Sequence, residues 1–73
     1  MPKLRVLSAG EVCRILQEHG FYKARQSGSH IVMKRPTADG ERVAIVPNHS
    51  ELRRGTLLSV IEQSGLPREL FMT

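Results

Sequence analysis

Histidine is the residue type in this sequence best suited to proton transfer near neutral pH, because an imidazole ordinarily titrates with a pKa of about 6.5. The chain has three histidines, His19, His30 and His49. His30 has the most distinctive context, because it directly follows the turn signal Gly28-Ser29 and opens an apolar run. It is therefore the candidate catalytic residue.

Several cations lie close to His30 in the sequence, namely Arg25, Lys34 and Arg35. A histidine at the start of a strand, beside turn amides and cations, could accept a proton from a ribose 2′-OH or donate one to the leaving 5′ oxygen, while the cations hold the phosphate. From the residues alone, an ordinary turn histidine is the favoured interpretation. The predicted RNA-contacting residues are Arg25, Ser27, Gly28, Ser29, Lys34, Arg35 and Arg42.

The other reactive side chains have simpler interpretations. His49 is expected to be structural or merely exposed, and His19 to interact with the dipole at the end of a helix. Cys13 is predicted to be a buried structural thiol. Tyr22 could stack on a base, but the favoured interpretation is partial packing on the core. Arg53 and Arg54 could be solvated surface charges, or could serve a ligand at the start of a helix, where cations oppose the dipole.

Composition and motifs narrow the class of protein. Eleven Lys and Arg against seven Asp and Glu give a net charge of +4, which favours polyanionic partners. The histidines lack zinc-ligand spacing and Gly28-Ser29-His30 lacks the further glycines of a nucleotide fingerprint, so no metal and no cofactor are expected. A single cysteine, no membrane-spanning run and no signal-peptide pattern favour a cytoplasmic protein with no membrane partner.

The elements that must position His30 can be predicted from local signals. Ser8 and Glu11 form a capping box that starts a helix over residues 8–19, and Gly20 is placed to end it. Three short strands are predicted at residues 21–26, 30–35 and 42–46. The second and third strands are predicted to end at Pro36 and Pro47, with an Asp-Gly turn between them.

A second helix should begin near Gly55-Thr56 and end before Gly65. Residues 66–71 are predicted to fold back as a short turn that lays Leu70 or Phe71 on the core. Together these elements predict a single domain over residues 1–73, of the α+β class and of α-β-β-β-α order. Its three-stranded antiparallel sheet should carry both helices on one face and leave the other open.

An ordered set of short motifs runs through nearly the whole chain, and it resembles the HicA toxin family. No single motif is specific, and the resemblance lies in the order of the set. The motifs are Leu7-Ser8-Ala9-Gly10-Glu11-Val12, Gly20-Phe21, Arg25-Gln26-Ser27-Gly28-Ser29-His30, Val46-Pro47-Asn48-His49, Gly55-Thr56-Leu57 and Ser64-Gly65-Leu66.

The resemblance implies a fold like that of double-stranded-RNA-binding domains, and the toxin role of a type II toxin-antitoxin pair. It also implies metal-independent mRNA cleavage, with His30 as the catalytic histidine and a HicB-like antitoxin that blocks the site. Any homo-oligomer is expected only through the antitoxin complex. Many relatives carry a second histidine where this chain has Ile31, so the second proton-transfer group is left open between water, the substrate, Lys34 and His49.

Two other functions are compatible with the same sequence. One is a non-catalytic RNA-binding module, since recognition of double-stranded RNA works largely through shape and through phosphate and 2′-OH contacts. The other is a protein-interaction domain that uses the open sheet face.

Overall fold

The computed structural model describes residues 3–72, so Met1, Pro2 and Thr73 lie outside the described part of the chain. The elements in chain order are α1 (Ala9–Glu18), β1 (Tyr22–Ser27), β2 (His30–Thr37), β3 (Gly40–Pro47), α2 (Arg54–Ser64) and the 3-10 helix η1 (Arg68–Phe71). The protein is therefore an α+β protein of α-β-β-β-α order, and the predicted fold class is confirmed. None of the helices between residues 3 and 72 has the length and apolarity that a membrane crossing requires.

Helix α1 begins and ends where its local signals predict. Ser8 Oγ accepts a hydrogen bond from the Glu11 amide at 3.1 Å, and Glu11 Oε1 accepts one from the Ser8 amide at 2.9 Å. This reciprocal capping satisfies two amides that the first helical turn leaves without partners. Leu7 and Val12 are both buried on either side of the cap. Gly20 follows the helix with a φ of 95°, a conformation that suits glycine.

The sheet is a meander of order β1-β2-β3, in which both strand pairs are antiparallel. The prediction that β2 ends at Pro36 is wrong, because β2 continues to Thr37 and Pro36 pairs with Glu41. The Ile45 amide points away from β2, since it donates to Gln63 Oε1 at 2.8 Å. Hydrogen-bonded and non-hydrogen-bonded pairs alternate along an antiparallel ladder. Pro36 lies four residues after Val32, the partner of Ile45, so its pair with Glu41 is also non-hydrogen-bonded and needs no amide donor toward β3. Strand β1 begins at Tyr22, opposite Lys34, and does not extend as far as Pro36. The missing amide of Pro36 therefore breaks no hydrogen bond to β1 either.

Both helices pack on one face of the sheet, as predicted. One cluster of buried apolar side chains combines residues from α1, α2, β2 and β3. The strand residues in that cluster are Ile31, Met33, Ala44 and Val46. Phe71 in η1 is fully buried in the same cluster, which confirms that the C-terminal turn folds back onto the core.

Candidate functional site

The face of the sheet opposite the helices, here called the open face, carries three rows of side chains that span all three strands. Cross-strand partners lie on the same face and successive residues of a strand alternate between faces, so the register assigns each residue to a face. The core residues Ile31 and Met33 lie on the helix face, so His30, Val32 and Lys34 lie on the open face. The three rows are Ser27, His30 and Pro47; Arg25, Val32 and Ile45; and Tyr22, Lys34 and Val43.

His30 is exposed at one end of this face, as the first residue of β2. It pairs with Ser27 across a two-residue hairpin turn, in which Gly28 has a φ of 57°. Such a φ is typical of the tight turns that connect antiparallel strands. Ser27, Gly28 and Ser29 are all exposed, so the predicted turn residues border the imidazole on the open side.

The segment after β3 is tied to the turn that carries His30. The amide of Asn48 donates to the carbonyl of Ser29 at 2.6 Å, and the carbonyl of His49 accepts from the amide of Ala9 at 2.9 Å. These bonds join the β1–β2 turn to the start of α1 through two residues of backbone. This role of Asn48 could not be predicted, because a backbone hydrogen bond between residues distant in sequence leaves no mark on residue type.

Arg25 lies on the open face, diagonally across from His30, because its partner Val32 is two residues along β2. Diagonal neighbours in an antiparallel sheet are about 7–8 Å apart, within reach of a long side chain. Arg25 is exposed, and within residues 3–72 its side chain has no hydrogen bond or ion pair. Its guanidinium is thus available to an anion beside His30.

Lys34 shares the open face with His30 but is directed elsewhere. It lies four residues further along β2, about 13 Å from His30 at the ordinary strand rise. Its Nζ lies 3.4 Å from Glu41 Oε1, at the far end of the sheet. Lys34 is therefore poorly placed for proton transfer at the His30 end, although it adds positive charge to the same face.

Arg35 lies on the helix face, since it follows Lys34 in β2. Its guanidinium carbon is 5.5 Å from the centre of the Phe21 ring, a cation–π contact at the corner between α1 and β1. The Cδ of Arg35 also lies 3.2 Å from where a Cβ on Gly20 would stand. The structure thus places Arg35, predicted to contact RNA beside His30, on the opposite face of the sheet from His30.

Arg42 also lies on the helix face, since it pairs with Arg35. Its Nε donates to the carbonyl of Gln63 at 3.3 Å and its second guanidinium nitrogen to that of Glu62 at 3.5 Å. These carbonyls belong to the last turn of α2, where a cation interacts favourably with the helix dipole. Arg42 therefore acts on α2, away from His30.

The remaining open-face residues are largely apolar. Tyr22, predicted to pack partly on the core, is instead 49% exposed on this face, so that prediction is wrong. Val43 and Ile45 are 39% and 43% exposed, while Val32 at the centre of the face is buried outside the main core cluster. Beside its cations, the open face thus presents an aromatic ring and aliphatic side chains that bases or a protein could cover.

Other candidate groups have structural surroundings. His19 Nδ1 bonds to the carbonyl of Ile15 at 2.9 Å at the end of α1, as its predicted structural role requires. Cys13 is half-buried, and burial raises the pKa of its thiol while the charge of Lys23 opposes the shift. A protonated thiol is a weak nucleophile. Within residues 3–72 no group of three or more His, Cys, Asp or Glu side chains is arranged to hold a metal ion.

The fold and site define a small basic α+β domain with one histidine exposed on an open, cationic sheet face. A family model described as the HicA toxin of bacterial toxin-antitoxin systems matches residues 9–66 of the 73-residue chain, so the chain belongs to the HicA toxin family. The matched range begins at α1 and ends just after α2, so it contains the whole open face. A search of curated proteins gave no match. As a toxin of this family, the chain has an antitoxin as partner.

Proposed function

We propose that this toxin is a metal-independent endoribonuclease that cuts mRNA in the cytoplasm, with His30 as its catalytic residue. The observation that carries the proposal is the exposure of His30 on the open face, beside the Gly28-Ser29 turn and diagonal to the unpaired Arg25. A flexible RNA strand can reach an imidazole on such a face without a deep pocket. The element order, shared with double-stranded-RNA-binding domains, is consistent with an RNA substrate.

In the proposed reaction His30 acts as general base on the ribose 2′-OH. The imidazole takes the hydroxyl proton, the 2′ oxygen forms a bond to phosphorus, and the bond from phosphorus to the 5′ oxygen breaks. The products are a 2′,3′-cyclic phosphate and a 5′-OH, whose proton comes from water. His30 could alternatively donate the proton to the 5′ oxygen, in which case water accepts the proton from the 2′-OH.

Negative charge grows on the phosphate oxygens as the 2′ oxygen attacks. Arg25 is the cation nearest to His30 on the open face by strand register, and we assign it to those oxygens. The turn residues Ser27, Gly28 and Ser29 are assigned to substrate contact, and Lys34 to a more distant phosphate. Arg35 and Arg42 are left out of this proposal, because their side chains are engaged on the helix face.

A HicB-like antitoxin is the proposed inhibitor, and its proposed docking surface is the open face itself. Tyr22, Val43 and Ile45 supply exposed apolar area there, and the unpaired Arg25 beside His30 favours an acidic group on the partner. A protein seated on this face would cover His30 and exclude RNA. Any higher assembly of the toxin is proposed to form through the antitoxin.

The test compares wild type with His30→Ala, and uses His49→Ala as a matched control at the same end of the sheet. We expect His30→Ala to lose RNA cleavage and growth arrest while its circular dichroism and RNA affinity stay at wild-type values. His49→Ala should keep cleavage within a few-fold, and wild-type cleavage should persist in EDTA. RNA binding without cleavage by wild type would instead support the non-catalytic binding module.

A further inference from the structure

A second cationic surface lies outside the open face, in a shallow groove of about 350 Å³ between the N-terminal segment and the start of α2. We call it the basic groove. Four of its lining residues are cations and one is an acid, and the remainder are apolar. The lining residues are Lys3, Leu4, Arg5, Val6, Glu51, Leu52, Arg53 and Arg54.

The groove is built by backbone bonds between distant parts of the chain. The Leu52 amide donates to the Leu7 carbonyl at 2.8 Å, and the Arg5 amide donates to the Phe71 carbonyl at 2.9 Å. Leu52 and Leu7 are both buried, so the core fixes the two walls relative to each other. Arg5 on one wall and Arg53 on the other are thereby held beside the same groove.

The charges of Arg53 and Arg54 are not explained by the stability of the fold, whereas Arg5 lies close enough to Glu11 to help lower the pKa of that carboxyl. Arg5, Arg53 and Arg54 are exposed, and within residues 3–72 none of the three forms an ion pair or a side-chain hydrogen bond. Arg53 is the N-cap of α2 and gives no side-chain cap, while Arg54 begins the helix. Cations at a helix N-terminus oppose the dipole, and the neighbouring like charges repel each other. A polyanion in the groove would relieve both effects.

The groove also lies within reach of the His30 end of the sheet. Pro47, the β3 partner of His30, is six residues before Arg53, and six residues span at most about 20 Å. The intervening segment is anchored to the β1–β2 turn by the bond from Asn48 to Ser29. A single RNA strand of several nucleotides could therefore contact His30 and the basic groove together.

We propose that the basic groove binds the sugar-phosphate backbone of the RNA substrate, away from the bond that is cut. This inference rests on the proposed ribonuclease function and extends its substrate site. The contacts are to phosphates, so they fix where the strand lies without reading its sequence. They hold the substrate equally in the ground state and the transition state, so they lower KM and leave kcat unchanged.

The test measures binding of a labelled single-stranded RNA oligonucleotide by fluorescence anisotropy, with the His30→Ala substitution in every protein so that nothing is cut. The groove variant is Arg53→Ala with Arg54→Ala, and the control is Arg14→Ala with Arg68→Ala, two exposed cations that do not line the groove. We expect the groove variant to bind about tenfold more weakly. The slope of its log affinity against log salt, which is negative, should become shallower by about 1.4, since each single-strand phosphate contact contributes about 0.7 to its magnitude.

A stability measurement and a kinetic measurement complete the test. The melting temperature of the groove variant should be unchanged or slightly higher, because two unfavourable charges leave the start of α2. With His30 intact, the groove variant should show a raised KM and an unchanged kcat. Equal loss of RNA affinity in both double variants would overturn the inference, since only net charge would then matter. Loss of antitoxin binding with RNA affinity retained would also overturn it and assign the groove to the partner protein.

The result is separable from the proposed catalysis. If wild type does not cut RNA but the groove variant still binds it more weakly, the groove inference stands and the catalytic proposal fails. If wild type cuts RNA and the groove variant binds it at wild-type affinity, the groove inference alone fails.

Discussion

Replacing Arg42 should lower stability and leave RNA binding nearly unchanged, whereas replacing Arg25 should do the opposite. Both arginines were predicted from sequence to contact RNA, but they lie on opposite faces of the sheet. Arg25→Met and Arg42→Met form a matched pair, because each removes one charge and all guanidinium donors and keeps an unbranched aliphatic stem. The stem matters at position 25, where it can cover the buried Val32 opposite.

The stability loss of Arg42→Met follows from its contacts with α2. An exposed cation at a helix C-terminus contributes about 0.3–1 kcal/mol. The two guanidinium bonds, at 3.3 and 3.5 Å, are long, so they add little beyond that interaction. We expect the free energy of unfolding to fall by about 0.5–1 kcal/mol, and the melting temperature by about 2–8 °C in a domain of this size. Arg25→Met should change the free energy of unfolding by less than about 0.5 kcal/mol, because its side chain has no polar partner to lose.

The binding effects should have the reverse order. Loss of one single-strand phosphate contact in Arg25→Met should reduce the magnitude of the slope of log affinity against log salt by about 0.7. Arg42→Met should leave that slope unchanged. Thermal unfolding followed by circular dichroism measures the first property, and anisotropy of a labelled RNA between about 50 and 200 mM salt measures the second. If Arg42→Met weakens RNA binding as much as Arg25→Met and keeps the wild-type melting temperature, the assignment of the two arginines to separate tasks is refuted.

Substitutions at three further positions test the supporting structure. Gly65→Ala should lower the free energy of unfolding by about 1–2 kcal/mol, measured by urea titration, because φ is +73° and a Cβ there would lie 2.8 Å from the Arg42 side chain. Asn48→Pro, which removes the amide that donates to Ser29, should lower kcat for RNA cleavage, while Asn48→Ala keeps the amide and should stay near wild type; equal kcat in both variants would contradict a positioning role. Hydrogen bonds from Ser8 lower the pKa of Glu11, so its carboxylate stabilises the fold above its ordinary pKa of 4.5, and that stabilisation is lost as the pH falls through the lowered value. Urea titrations should therefore show the advantage of wild type over Glu11→Gln shrinking between neutral pH and about pH 3, and a constant difference would contradict the capping argument.

Helix boundaries could be predicted from the sequence because their determinants are local. The Ser8–Glu11 capping box starts a helix and the glycines at 20 and 65 end one, and each acts within one turn of the helix end that it determines. The second helix begins at Arg54, one residue before its predicted start, without any side-chain cap to mark the position. The position of His30 at the start of a strand was likewise predictable, since Gly28-Ser29 determines the turn before it.

The face on which Tyr22 lies could not be predicted, because it depends on an irregularity in the strand pairing. Strict alternation back from Gln26, which faces the helices, would place Tyr22 on the helix face and Lys23 on the open face. The register instead shifts between Lys23 and Arg25, and the extra residue Ala24 exchanges the two faces for everything before it. No residue in this stretch marks a bulge, so a pattern of period two assigns the aromatic ring to the core.

The faces of Arg35 and Arg42 were predictable in principle from parity along the strands. Lys34, directly before Arg35, and Val43, directly after Arg42, lie on the open face. Because successive residues of a strand alternate between faces, both arginines lie on the helix face. Closeness in sequence to His30 does not distinguish the two faces of a strand, so it grouped Arg35 with Arg25 and Lys34, which lie on the opposite face. The helix-face cations then find partners that sequence spacing does not reveal, namely the Phe21 ring and the carbonyls at the end of α2.

The register between β2 and β3 needs more than hydrophobic pattern, because the run from Val43 to Val46 is apolar on both faces. A slip of one residue would exchange those faces at modest cost in burial alone. Pro47 opposes the slip: it lies opposite His30 in a non-hydrogen-bonded pair, and the slipped strand would turn its missing amide toward β2. The Ile45 amide would also lose Gln63 Oε1, which now caps it from α2. The proline beside the candidate catalytic histidine thus helps to select the pairing that leaves Ala44 and Val46 under the helices and gives His30 its neighbours on the open face.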